Sequence, residues 1–169
     1  MMPTSQSMAQ TDVVVIPMIE GDKFIVSEPS TPVPPDNRMP EEFVSFFGTG
    51  FVVDEFTGLA WQRTDDGIER NWGDAAEYCG ELVLGFQDKW RLPTFDELYT
   101  IVDLGRSNPA INQEIFSITQ PLPGQGHFWT SSMHISSLGA LVFHRTVAFT
   151  TALGGTFPDD SEALVRCVM

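Results

Sequence analysis

Apolar positions recur along the 169-residue chain with two different periods, and each change of period marks an element. Residues 12–26, DVVVIPMIEGDKFIV, read as two short β runs around a Glu20-Gly21-Asp22 turn. Residues 27–42 hold five of the twelve prolines. Proline cannot donate to a β ladder and disfavours helix, so this stretch reads as an extended arm. The expected division is an N-terminal β segment over 1–26, a Pro-rich linker or arm over 27–47, and a compact domain over 48–169.

Within the compact part, Val52 to Trp61 reads as a hairpin in which Asp54 and Thr57-Gly58 supply the turn chemistry. Asp54 is read as a carboxylate capping turn N–H groups, with metal ligation as the alternative. A helix follows, with Asn71 as N-cap and Asp74 three residues on. Ala75, Cys79, Leu82, Val83 and Phe86 then form one apolar stripe, with Gly85 as terminator. Trp90-Arg91-Leu92-Pro93 is extended, because proline pushes the preceding residue out of the helical region. Thr94 and Glu97 make a capping box for a second helix. Leu98, Ile101 and Val102 form its buried stripe, and Gly105 its C-cap.

Residues 106–126 read as a long loop with one helical turn, the first place to expect a ligand surface. From Phe128 the period becomes two. Strands are expected over 128–132, then one or two over 141–145 and 147–153, and last over 163–168. In that last run Leu164, Arg166 and Val168 share one face, while Val165 and Cys167 share the other. A hairpin, two helices and a run of strands make an α+β arrangement.

Composition changes this picture little: 42% hydrophobic residues allow a real core. Charge changes it more. Nine Lys+Arg against 23 Asp+Glu give −14, which opposes nucleic acid and other polyanions. No run reaches the roughly 18 apolar residues of a membrane helix. The opening MMPTSQSMAQ has neither a basic nor an apolar leader region, so either the native leader is missing from this chain or the protein is cytosolic.

Candidate chemistry is sparse. The sequence has no G-x-S-x-G, no Walker loop and no G-x-G-x-x-G. His127, His134 and His144 lack zinc-site spacing, and His144 reads as a strand-face residue. Trp61, Trp72, Trp90 and Trp129 sit beside core positions and read as packing, not as sugar platforms. Arg91 and Arg166 are expected to pair with carboxylates or backbone carbonyls.

Three segments, taken in order, carry a resemblance: D-E-F-T-G-L-A-W-Q (54–62), A-x-x-Y-C-x-x-L…W-R-L-P-T-x-x-E-L (75–98), and F-W-T-S-S…V-R-C-V at the end. Together they resemble the C-terminal domain family of the Legionella collagen-like adhesin over roughly residues 48–169. Asp54, Gly58, Trp61, Trp90, Arg91, Pro93, Glu97 and Trp129 are the structural motif residues of that match. R-L-P-T-x-x-E also looks like a segment of formylglycine-generating enzymes, whose fold is C-type-lectin-like. The resemblance implies that architecture: two helices beside a twisted, mostly antiparallel sheet. It also implies one disulfide joining the first helix to the last strand, places held by Cys79 and Cys167. Both fall on expected core faces, and two unpaired buried thiols are the alternative. A bridge implies an oxidising compartment, hence a secreted, cell-surface or periplasmic protein, and the resemblance implies a bacterial one.

The function implied is a non-catalytic, adhesion-type extracellular domain that binds a glycan or a protein. Glycosaminoglycan binding is known in that family, but the −14 charge opposes polyanions, so only "binding domain" carries over. Candidate ligand-binding residues are Asn112, Gln125, His127 and His134, in or near the 106–126 loop and the 132–140 turn. Asp159, Asp160 and Glu162 could hold a surface calcium, with a solvated acidic turn as the simpler account. No cofactor is expected. One alternative is an assembly subunit whose 12–26 segment pairs with another chain, giving a homo-oligomer. A formylglycine-generating-like enzyme is the third reading, and it needs free thiols.

Overall fold

The computed structural model describes residues 43–45, 48–119, 122, 126–135 and 142–169. The expected N-terminal β segment and nearly all of the Pro-rich arm lie outside the described residues. The elements run β1 (Phe43–Ser45), β2 (Phe51–Asp54), β3 (Leu59–Gln62), α1 (Trp72–Glu81), α2 (Phe95–Tyr99), β4 (His127–Ile135), β5 (Val142–Ala148) and β6 (Leu153–Phe157). They form an α+β domain with two helices, two small antiparallel sheets, and one disulfide between Cys79 and Cys167. The sheets are ordered β1-β2-β3 and β4-β5-β6.

The expected hairpin is β2–β3, with Val52 opposite Trp61. Its turn is closed by Asp54, whose carboxylate accepts from the Phe56 and Thr57 N–H groups and from the Thr57 hydroxyl. Gly58 completes the turn at φ +75°, a conformation that side chains with a Cβ avoid.

Helix α1 starts where expected: the Asn71 side chain accepts from the Asp74 N–H at 2.9 Å. Its end corrects the sequence reading. The helix stops at Glu81, four residues before Gly85, and Val83 and Phe86 are exposed instead of striped into the core. The reason is a tight turn. Leu84 and Gln87 exchange N–H···O=C bonds of 3.0 and 2.9 Å, while Gly85 and Phe86 both take positive φ. Two consecutive left-handed residues reverse the chain and end the helical period.

Helix α2 carries the expected capping box in full, Thr94 to the Glu97 N–H and Glu97 back to the Thr94 N–H. It is only five residues long, so Gly105 is not its C-cap. Ile101 and Val102 still reach the core through a turn bonded to Leu98 and Tyr99.

The described part of the 106–126 loop, read from sequence as a candidate ligand surface, also contributes to the core. Ala110, Ile111, Ile115 and Phe116 are buried in the larger core cluster with Trp61, Leu98, Phe128, Val147 and Phe149. A smaller cluster gathers Phe51, Ala75, Cys79, Trp90, Trp129, Val165 and Cys167.

Residues 163–168 bring a further correction. They form isolated bridges, not a continuous strand, and the domain has two sheets where one was expected. The segment changes partner as it runs: Ala163 bridges Arg70, Leu164 bridges Phe128 of β4, and Val168 bridges both Trp61 of β3 and Arg91. At Cys167 the N–H is taken by the Gln62 side chain, which interrupts any ladder. Alternation survives nonetheless. Leu164 and Val168 enter the larger cluster, while Ala163, Val165 and Cys167 enter the smaller one. A segment buried on both faces thus stitches the two sheets together.

Candidate functional site

Helix α2 lies against the β5–β6 sheet, and a groove of about 480 Å³ opens between them. Phe95, Tyr99, Arg145, Ala152, Leu153 and Gly154 line it, with Gly155 and Thr156. The capping box fixes the start of α2, and the Phe95 N–H donates to the Ser132 hydroxyl of β4 at 2.9 Å. Four residues apart on one helical face, the Phe95 and Tyr99 rings stack at 5.7 Å with a 17° interplanar angle. The Tyr99 hydroxyl donates to the Ala152 carbonyl.

Below the rings, Gly154 has no side chain for a reason: a Cβ there would fall 2.8 Å from the Phe95 ring. Arg145 stands on β5 opposite Thr156, with its guanidinium carbon 3.4 Å from the centroid of the Phe95 ring. Four other arginines are committed to carboxylates: Arg70 to Asp66, Arg91 to Glu97, Arg106 to Asp103 and Arg166 to Asp65, while Arg63 donates to the Ile115 carbonyl. Arg145 faces no carboxylate among the described residues, so a half-buried cation is held in a fixed plane with its N–H donors open. That arrangement suits a carboxylate or a polar planar group, with apolar surface beside it.

The sequence-derived candidates do not converge on this groove. Asn112 is buried; its side-chain Oδ1 accepts from the Glu114 N–H and its backbone carbonyl from the Ile115 and Phe116 N–H groups, which closes the turn that buries Ile115 and Phe116. Gln125 lies outside the described residues. His127 packs against Phe157 and meets the Thr146 hydroxyl at 2.9 Å, and burial pulls its pKa down. His134 is exposed on β4.

Nor does the acidic trio gather. Asp159 turns to His144, at 3.1 Å from its Nε2, and the described residues contain no group of three or more His, Cys, Asp or Glu placed to hold a metal. His144 is a strand residue as expected, buried and stacked on Trp72 at 3.8 Å. Burial lowers its pKa, and Asp159 opposes that shift.

The motif residues act in packing. Trp61, Trp90 and Trp129 are buried, and the Trp129 indole donates to the Arg70 carbonyl at 2.7 Å. Pro93 presents its carbonyl to the Ser131 N–H. Arg91 makes two 2.8 Å bonds to Glu97, which hold the Glu97 carboxyl down at about 2. Both cysteines are in the bridge and no cysteine is free, so there is no thiol nucleophile or thiolate ligand.

Sequence reasoning missed Arg145, Phe95 and Tyr99. One signal was present: a Gly-Gly pair inside a β-like run marks close approach of a neighbouring group, here the Phe95 and His127 rings. Arg145 gave no such signal, since only the fold determines which cations lack a partner.

Comparison with known families finds that the Lcl C-terminal domain matches residues 50–169 of the 169-residue chain. No curated protein matches it. Among the described residues no helix is long and apolar enough to cross a membrane.

Proposed function

The chain belongs to the Lcl C-terminal domain family, and from that premise we propose that it is a non-catalytic binding module of the secreted or cell-surface kind. Its ligand is a glycan or a protein, taken in the groove between α2 and β6. The observation that carries this reading is Arg145: a cation stacked on Phe95, lining the groove and without a carboxylate partner among the described residues, in a chain whose formal charge is −14. Acidic side chains are abundant, so a guanidinium with no carboxylate among the described residues keeps its donors for a ligand.

Two further observations agree. Engagement of both cysteines in the bridge removes the groups a formylglycine-generating-like reaction needs, and it suits an oxidising compartment. A covalent tie from the first helix to the end of the chain also accords with a C-type-lectin-like arrangement, which we propose for the domain.

The test is a binding screen of the disulfide-intact chain against oligosaccharide and peptide arrays, repeated with Arg145→Gln and Tyr99→Ala. The expected result is a ligand whose affinity falls about tenfold or more in either variant, a loss of ~1.4 kcal/mol or more, with thermal unfolding unchanged. A ligand whose affinity is untouched by both variants, or no ligand on either array, overturns the proposal.

A further inference from the structure

One wall of the groove is an edge strand. β6 pairs with β5 alone, and none of Leu153–Phe157 gives or takes any other backbone hydrogen bond among the described residues. Such an edge carries a row of N–H and C=O groups that a second extended chain can pair with. Protein edges are commonly blunted by lysine, proline or an inward charge. The sequence LGGTF has none of these.

The register says what an added strand would meet. Arg145 pairs with Thr156, and Val147 with Gly154, so these four share one face of the sheet, the face on which Phe95 lies. A residue of the added strand opposite Thr156 would stand about 10 Å from β5, two strand spacings away. Across that gap the long Arg145 side chain can meet an aspartate or glutamate reaching inward. The next residue on the same face, two positions along, would stand opposite Gly154, beside Tyr99 and Ala152. An apolar side chain fits there.

We propose, resting on the groove reading above, that the ligand is an extended peptide segment of a partner protein that adds as a strand to β6. It places a carboxylate on Arg145 and an apolar side chain, two residues away, against Tyr99 and Ala152. Main-chain pairing supplies affinity, and these two pockets supply specificity. A peptide is favoured over a sugar because the open ladder of β6 matches another backbone, whereas a sugar would leave those groups unused.

The test is selection of a displayed heptapeptide library on the full, disulfide-intact chain. Enriched sequences should carry Asp or Glu two residues from an apolar residue. A synthetic peptide of the enriched sequence should slow amide exchange at Leu153–Phe157. It should lose about tenfold in affinity, ~1.4 kcal/mol, when its carboxylate becomes an amide or when Arg145 becomes Gln. Enrichment without an acidic position, protection away from β6, or no enrichment overturns strand addition. If the library fails while an oligosaccharide still binds in an Arg145-dependent way, the groove reading stands and this one is discarded. Failure of both overturns both.

Discussion

Arg166 and Asp65 are 101 residues apart in sequence, yet their side chains meet at 3.3 Å with both fully buried. The guanidinium also donates to the carbonyls of Gln62, Arg63 and Ser117, and it lies 5.3 and 5.7 Å from the Phe116 and Phe128 ring centroids. One cation thus ties the end of β3, the loop that buries Phe116 and the last segment of the chain. Burial pushes its pKa down to about 10, with Asp65 opposing the fall, so it stays charged at neutral pH.

Removing the counter-charge leaves that cation buried and uncompensated. Asp65→Asn should therefore destabilise the domain by ~3–5 kcal/mol, measured by urea unfolding at pH 7. Part of the loss comes from the Gly67 and Thr119 N–H groups, which also donate to this carboxylate. A loss below about 1 kcal/mol would mean that the carbonyls alone suffice to hold the guanidinium.

The bridge from Cys79 to Cys167 spans 88 residues, and both residues are buried in the smaller cluster. On the chain-entropy account a closure of that length is worth ~4–5 kcal/mol through the unfolded state. The Cys79→Ala, Cys167→Ala double variant should lose about that much in denaturant unfolding. Its groove should still form while folded, because neither cysteine lines it. Equal stability of variant and parent would show that the unfolded chain is already compact without the bond.

Glu97 gives the domain an acid-sensitive joint. The Arg91 guanidinium beside it and the Thr94 N–H hold its carboxyl at about 2, against an ordinary 4.5. A lowered folded-state pKa means stability present above the unfolded value and lost as pH falls from about 4.5 toward 2. Arg91 is half exposed, so solvent screening reduces the pair to ~1–2 kcal/mol with its cap included. Glu97→Gln, which keeps the cap but loses the charge, should cost up to about 1 kcal/mol at pH 7, and the difference from the parent should shrink as pH falls through about 2, followed by thermal melts across the range.

How far the sequence foretold the fold depended on whether a feature is local. The Thr94–Glu97 box, the Asn71 cap and the Asp54 turn are each made within a few residues, and each forms as read. Alternation over 163–168 also named the two faces correctly. The failures involve partners that only the chain path supplies. Nothing in Ala110, Ile111 or Phe116 says that a proline- and glycine-rich loop folds inward over Trp61 and Phe128. Likewise Arg145 differs from Arg91 and Arg106 in having no carboxylate partner among the described residues, which no single-sequence pattern records.

Phe86 separates stability from purpose most sharply. It is 100% exposed and sits at φ +64°, in the second place of the Gly85-Phe86 turn. An aromatic residue there pays backbone strain of ~1–2 kcal/mol and recovers no burial. Glycine removes the strain but adds unfolded-state freedom, and asparagine tolerates the conformation with less such freedom. Phe86→Gly and Phe86→Asn should therefore each raise unfolding stability, by about 0.5–1 kcal/mol, while Phe86→Ala, which keeps a Cβ at positive φ, should change little. Gly85 offers no such gain, because a Cβ there would fall 2.5 Å from the Phe51 ring. If instead Phe86→Gly lowered stability, the ring would have to hold contacts in solution that its full exposure denies.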